Sequence, residues 1–482
     1  MKSVMTPLLF TLFIFVLLPA NDFAQGKFIY IYHNGHNVVT GYSVGVNGAI
    51  TQLQGSPFST GALENDGGFI GIKEATAVQV GNHLFVSNSE SRNISAFAIN
   101  PDTGFLTSVT GSPFPTGLPF RGQSSLAATP NGKFLYQGFA GQNAIAGYSI
   151  ASDGTLVGLA GFPMLVGGLF NIQVSPDGRF LAIAQWFDRK IAMYRIGNDG
   201  TIVAVPGSPF PTAGGGNSVG VEFNCAGDLL FGVESRPLRA STPTGISAYR
   251  MAANGSLTLV PGSPFIVNHN GNGAIAIGPD DRHLFVSNGP NNSVFAFNIG
   301  SDGSLSAVPG SPFANPEKFF TFGFGIDREG TLLYVLNSGF VATLSVYAIL
   351  PGGALNIVPN APVFIDSESL TSLVVYPARL CAPARVFDIC IQDDGNNNVL
   401  RINSTSGDYD FTNCSGSTLS GTGVLTKRGS TITLQQYSGD RRLLVRIDGA
   451  VNKATAYIQT QGMNFTITDR NIADDTCACA AH

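Results

Sequence analysis

Gly55-Ser56-Pro57-Phe58 decides the fold, because it returns at Gly111–Phe114, Gly207–Phe210, Gly262–Phe265 and Gly310–Phe313. Decayed copies, GFPM at Gly161–Met164 and NAPV at Asn360–Val363, fill the gaps. The first residues of the seven copies therefore lie 46 to 56 positions apart. Self-similarity at a period of about 50 residues is what a radial array of small sheets leaves in a sequence.

One period, Asn272 to Phe313, shows what repeats. GAIAIGP (Gly273–Pro279) alternates small and apolar residues, and His283–Ser287 brings a second apolar run. Asn291-Asn292 turns the chain into SVFAFNI (Ser293–Ile299), and Asp302-Gly303 turns it again into SLSAV. Short runs of period two between Asn, Asp and Gly are antiparallel strands joined by tight turns, and four of them make a propeller blade. Asp153-Gly154, Asp199-Gly200 and Asn254-Gly255 repeat the turn between the third and fourth strands. Gly-Ser-Pro-Phe is expected just after the outermost strand. Pro ends that strand, since it cannot donate to a ladder, and Phe packs between blades.

The ends of the array predict how the ring closes. KFIYIYH (Lys27–His33) reads as a second strand without a first, and LTSLVVYP (Leu370–Pro377) as a first strand without a second. Pairing the two completes the first blade and removes two exposed edges. An open solenoid would leave both half-blades unpaired. The expected fold is all-β: a seven-bladed β-propeller over residues 27–378, closed by its N- and C-terminal strands.

Residues 379–385 read as a linker, and 386–482 as a small Cys-containing β-sandwich or barrel with runs such as FDICIQ and RRLLVRI. Cys381, Cys390, Cys414, Cys477 and Cys479 crowd this end, which suggests disulfides stapling the module in an oxidising compartment. The Cys-bearing tail, Asp474–His482, is expected to tie back to Cys381 or Cys390. The lone Cys225 reads as a small buried hydrophobe. The cysteine spacings match no structural zinc pattern.

Lys2, the apolar run Leu8–Leu18 and the region Pro19–Ala24 have the order of a signal peptide over residues 1–24, with cleavage after Ala20 or Ala24. The apolar run is too short to span a bilayer about 30 Å thick, so an extracytoplasmic chain with no membrane span is expected. Charged residues are only 12% and the net charge is −5. With no long basic run, nucleic acid is not an expected partner. The glycine clusters Gly67-Gly68 and Gly214–Gly216 lack the Gly-Lys-Ser/Thr of a phosphate loop, and no cofactor is expected.

Leu84–Asn88, Leu284–Asn288 and Tyr334–Asn337 resemble Tyr-Val-Thr-Asn-type propeller repeats. With the Pro-Asp-Gly turns and the period, they resemble the seven-bladed lactonase family, which includes 6-phosphogluconolactonase and the muconate cyclase. The resemblance covers about Lys27–Pro377. It implies a site at the channel mouth, built on a Gly-Pro-Arg-His stretch and, one strand later, a Glu. The corresponding stretch here, Gly216-Asn217-Ser218-Val219, has neither Arg nor His, and Glu234 alone falls where the family's Glu would be. Lactone hydrolysis needs a base or activated water together with positive groups for the oxyanion.

Two functions stay in view. One is a non-catalytic scaffold that binds a surface protein or glycan through its loop face. The other is a lactonase-like hydrolase with a divergent site around Glu234, Arg236 and Arg189, acting on a small anionic or lactone ligand. Arg121, Arg189 and Arg236 come from successive blades and can form a positive rim. Trp186, His33, His36 and His269 are further ligand-binding candidates on the same loops. His33 and His36 have no fixed metal geometry, and no metal is expected. His83 and His283 precede Leu-Phe at equivalent strand starts and read as structural.

Overall fold

The computed structural model describes residues 26–471 with interruptions, the longest at 63–75, 236–244 and 268–273, and from residue 386 onward only backbone strands. Candidate segments at 1–24 and 474–482 lie outside the described residues. Seven antiparallel sheets follow one another round a ring, each built from a period of the sequence. The fifth blade runs Asn217–Phe223, Leu229–Ser235, Gly245–Met251 and Leu257–Leu259, from the channel outward. No helix is present among the described residues, so none crosses a membrane there.

The ring closes as the two orphan strands predict. Leu370–Tyr376 pairs antiparallel with Phe28–His33, setting Phe28 opposite Tyr376 and Ile31 opposite Leu373. Period-two alternation then aims each strand at two neighbours. Ile29 and Ile31 join Tyr334, Leu336 and Leu344 of the seventh blade, while Tyr30 and Tyr32 join Leu84 and Val86 of the second. Both faces of a blade are thus buried, and each fully buried side chain of this size contributes about 1.5–3 kcal/mol. Hydroxyls cross the same seams: Tyr30 donates to Gly104 O at 2.7 Å, and Tyr136 to Gly200 O at 2.8 Å.

Gly-Ser-Pro-Phe does not end the outermost strand, as expected from sequence, but interrupts it. After Gly262-Ser263-Pro264 the strand resumes as Phe265–Ile266, pairing again with the third strand. The Ser explains how the gap is tolerated. Ser56, Ser112, Ser208, Ser263 and Ser311 each accept, at 2.9 Å, the N–H of the equivalent third-strand residue: Gly41, Ala96, Met193, Ala248 and Ala296. A side-chain oxygen stands in for the missing ladder carbonyl. The Gly takes φ of +82° to +89°, open to a residue without Cβ, and each of these Ser–Pro peptides is cis. The Phe packs against the inter-blade cores, as at Phe58 and Phe210.

Two expectations at the end of the ring are corrected. Cys225 is not a free buried hydrophobe, and Cys381 is not paired to the tail: they form a disulfide with a Cα–Cα distance of 4.6 Å. The reason is topological. Cys381 follows the closing strand directly, and the chain turns beneath the ring to the fifth blade's turn, where Cys225 stands. Arg379 and Cys381, the first residues of the stretch read as a linker, are therefore held to the propeller. Beyond them, four strands from Val386 to Thr422 and five from Val424 to Asn471 form two antiparallel sheets.

Candidate functional site

Second strands align residue for residue, and their sixth positions form a ring near the end of the channel where the connecting loops lie. These are His33, Asn88, Phe139, Gln185, Glu234, Asn288 and Asn337, every one at most 3% exposed. Six of the seven are polar, and a buried polar group is costly unless hydrogen-bonded. In the first, second, fifth and seventh blades the third strand supplies a partner from its diagonal position, whereas Asn288 donates to Ser293 Oγ directly opposite and Gln185 to Gly167 O of the entering loop. His33 Nε2 lies 2.8 Å from Thr40 Oγ1. Asn88 donates to Ser95 Oγ at 2.7 Å, and Asn337 to Ser345 Oγ at 3.0 Å. In the third blade the pair is apolar on both sides, Phe139 with Ala146. The hydroxyls in turn hold the loop that enters the blade, as where Ser95 Oγ donates to Thr60 O at 2.6 Å.

Glu234 is the charged member of this ring. Its Oε1 accepts the Gly214 N–H at 3.0 Å and the Ser247 hydroxyl, and its Oε2 accepts the Gly216 N–H at 2.8 Å. Three donors on one carboxylate repay much of its desolvation. The same contact explains two of the three glycines, while Gly215 takes a φ of +68°. A Cβ at Gly214 would stand 2.7 Å from Glu234 Oε2, and one at Gly216 would stand 2.9 Å from both Cβ and Oε2. Around this core Thr212 Oγ1 donates to Gly216 O at 3.0 Å and Tyr249 OH to Pro211 O at 2.7 Å. Burial above all raises the Tyr249 phenol pKa, so it stays a neutral donor. Glu234 is thereby the staple of the loop between the fourth and fifth blades.

Next to it, the fourth blade's hairpin Trp186-Phe187-Asp188-Arg189 stands at the loop face. The Trp186 ring packs on Phe170, tilted by 33° with ring centroids 4.9 Å apart, and the Trp186 backbone N–H donates to Gly168 O at 2.8 Å. Phe187 is 79% exposed. Arg189 is exposed too, with φ +54°. Asn37, Asn143 and Asn292 take the same left-handed turn position in their blades, and Arg92 does so in the second. Asn tolerates that conformation far better than Arg. The carbonyl of Arg189 pins the turn, accepting the Thr212 N–H at 3.0 Å, and it competes with Gly216 O for the Thr212 hydroxyl, 3.1 Å away.

His33 is buried at a strand end rather than displayed on a loop, and His36 is exposed in the turn that follows. Arg121, Arg236 and His269 lie outside the described residues. His83 and His283 open equivalent second strands and pack on the turn glycines Gly154 and Gly353 of their neighbours. Among the described residues no three His, Cys, Asp or Glu side chains gather as a metal site. Sequence reasoning passed over two stretches with Gly-x-Ser-x-Gly spacing, Gly41–Gly45 and Gly216–Gly220. Ser43 donates to Thr51 O at 3.2 Å inside its blade. Ser218 is buried within a first strand, opposite Glu234, and not at the strand-to-helix turn a nucleophile elbow requires. The ring of sixth positions was also missed, although aligning the second strands on the Leu-Phe or Leu-Tyr pair that five of them carry exposes most of it.

No protein-family model matches the chain, and no curated protein is similar to it in sequence. Solved structures are similar to it in fold. A periplasmic gluconolactonase from Pseudomonas aeruginosa superposes with a TM-score of 0.53 at 16% identity, over 73% of this chain and 98% of that one. A candidate 6-phosphogluconolactonase from Bacteroides fragilis gives 0.55 at 17%, over 74% and 99%. Another from Bacteroides uniformis gives 0.55 at 14%, over 73% and 99%. The shared part is the seven-bladed propeller.

Proposed function

We propose that this chain is an exported, non-catalytic propeller that binds carbohydrate at its loop face, built on the scaffold that lactone hydrolases also use. The role of Glu234 carries the reading. A general base must reach the proton it removes. Glu234 is fully buried, and its two oxygens take three donors from its own loop and third strand. Its place is the place of Asn88, Gln185, Asn288 and Asn337 in the other blades. A residue type that repeats round the ring in one structural task belongs to the scaffold.

The binding face is what does not repeat. Phe187 presents a bare ring beside Asp188, Arg189 and Lys190, all exposed, on a hairpin fixed by Thr212 and by the Trp186–Phe170 contact. An aromatic face flanked by donors and acceptors suits a sugar ring, whose C–H face stacks while its hydroxyls hydrogen-bond. The disulfide and the signal-like N-terminus support a chain working outside the cytoplasm. A glycan array probed with purified protein and with Phe187→Ala tests the reading. Binding to a set of glycans that drops at least 10-fold in the variant is expected. No glycan bound, or binding indifferent to Phe187, refutes a carbohydrate ligand at this hairpin.

A further inference from the structure

The chain crosses the opposite end of the channel. There the far ends of the first strands surround a cavity of about 520 Å3, with Val174, Ile277, Ile326 and Tyr376 in its wall. The chain leaves the closing strand at Tyr376 and crosses beneath this cavity. Tyr376 OH donates to Asn82 Oδ1 at 2.8 Å, and the Ala378 N–H to Gln79 Oε1 at 3.0 Å, both on the second blade. Arg379 then reaches across the ring. Its Nη2 donates to Phe223 O of the fifth blade at 2.9 Å, and its Nη1 to Ile277 O of the sixth. Nη1 also lies 3.5 Å from Glu222 Oε1, while Gln173 of the fourth blade holds Oε2 at 2.9 Å. Two carbonyls and a carboxylate from the fifth and sixth blades converge on one guanidinium, a planar donor suited to such a set. Cys381 follows, bonded to Cys225.

We propose that residues 377–379 and Cys381, which follow the closing strand, form a redox-latched plug at this end of the channel. The disulfide joins residues 156 apart in sequence, and so keeps Arg379 beside its acceptors. A dithiol opens the latch. Its thiolate attacks one sulfur of Cys225–Cys381, the second thiol displaces the mixed disulfide, and both cysteines leave as thiols while the dithiol becomes a disulfide. Two electrons and two protons pass to the protein. The plug is then held only by its hydrogen bonds and one ion pair, in competition with water. The blades do not depend on it, because ring closure is carried by the pairing of Leu370–Tyr376 with Phe28–His33. Opening the latch frees Arg379 and lays the acceptor set of Glu222, Phe223 O and Ile277 O open to solvent.

Trypsin reads this directly, since it cuts after Arg379 only when the guanidinium is out of its site. The full chain is digested with and without prior reduction by dithiothreitol, and fragment ends are identified by mass spectrometry. Cys381→Ser serves as a second, reductant-free route to the open form, and circular dichroism before digestion reports whether the propeller stays folded. Cleavage after Arg379 that is at least 10-fold faster in the reduced chain and in Cys381→Ser, with the β spectrum unchanged, is expected. Equal cleavage in oxidised and reduced chains overturns the proposal. So does loss of the β spectrum on reduction, which would make the disulfide a staple of the whole ring.

Discussion

Ser247 Oγ donates to Oε1 of Glu234 and, from the same oxygen, accepts the Ala213 N–H at 2.8 Å. One hydroxyl thus ties the third strand of the fifth blade to its second strand and to the loop that enters it. Removing either partner strands buried groups on the other. Ser247→Ala is expected to cost about 1–3 kcal/mol, and Glu234→Ala, which orphans Gly214 N–H, Gly216 N–H and the hydroxyl, more than that, at about 1–3 kcal/mol for each buried donor left without a partner. In a double-mutant cycle of Glu234→Gln with Ser247→Ala the two changes should be non-additive by about 0.5–3 kcal/mol. Urea denaturation of the four proteins measures it; additivity would mean that the contact contributes nothing.

Gly216 is set by closeness rather than by backbone angle. A methyl group there meets Glu234 Cβ and Oε2 at 2.9 Å and Ser235 O at 3.0 Å, in a place where neither side can retreat freely. Gly216→Ala should destabilise by about 1–3 kcal/mol, the usual cost of overpacking. The exposed Phe187→Ala should move the same unfolding midpoint by less than about 0.5 kcal/mol.

The repeated Ser makes a prediction in every blade that has it. Ser208→Ala leaves the Met193 N–H without its acceptor at a break in the ladder, at a cost of about 0.5–1.5 kcal/mol. Hydrogen exchange should then quicken at Met193 and not at Ala248, whose acceptor is Ser263. Faster exchange at both amides, or at neither, would contradict the assignment of one hydroxyl to each gap.

Glu222 gives the stability a pH dependence. Burial lifts its carboxyl from 4.5 to about 7, with Arg379 pulling it down and Asp281 pushing it up. Burial likewise raises Asp281, against the backbone N–H groups of Cys225 and Ala226. A raised folded pKa means that the folded chain binds the proton more tightly than the unfolded one. This contribution therefore favours folding fully below pH 4.5 and is lost as pH rises through about 7. Urea midpoints between pH 5 and 8 should fall with rising pH in the wild type, and fall less steeply in Glu222→Gln. An unchanged slope in the variant would remove Glu222 as the cause.

Much of the scaffold was legible because propeller blades are local. The turn dipeptides, the period-two runs and the two orphan half-blades at Lys27–His33 and Leu370–Pro377 are written in consecutive residues, and the structure pairs them as they predict. Contacts between distant residues were not legible. Nothing in the sequence near Cys225 or Cys381 says that the closing strand delivers one to the other. Pro57 and its equivalents suggested a strand end because the rescue of the ladder depends on where the neighbouring Ser hydroxyl points. At the site, Glu234 was found through resemblance, but its three donors come from loop and strand atoms that only the fold assembles.

The most direct measurement is a lactone-hydrolysis screen of the purified full-length protein beside Glu234→Gln, with thermal melts of both. A buried, donor-saturated staple predicts no turnover above the uncatalysed rate for either protein, and a lower melting temperature for the variant. Turnover by the wild type that vanishes in a Glu234→Gln protein of unchanged melting temperature would contradict the account and make Glu234 a catalytic group.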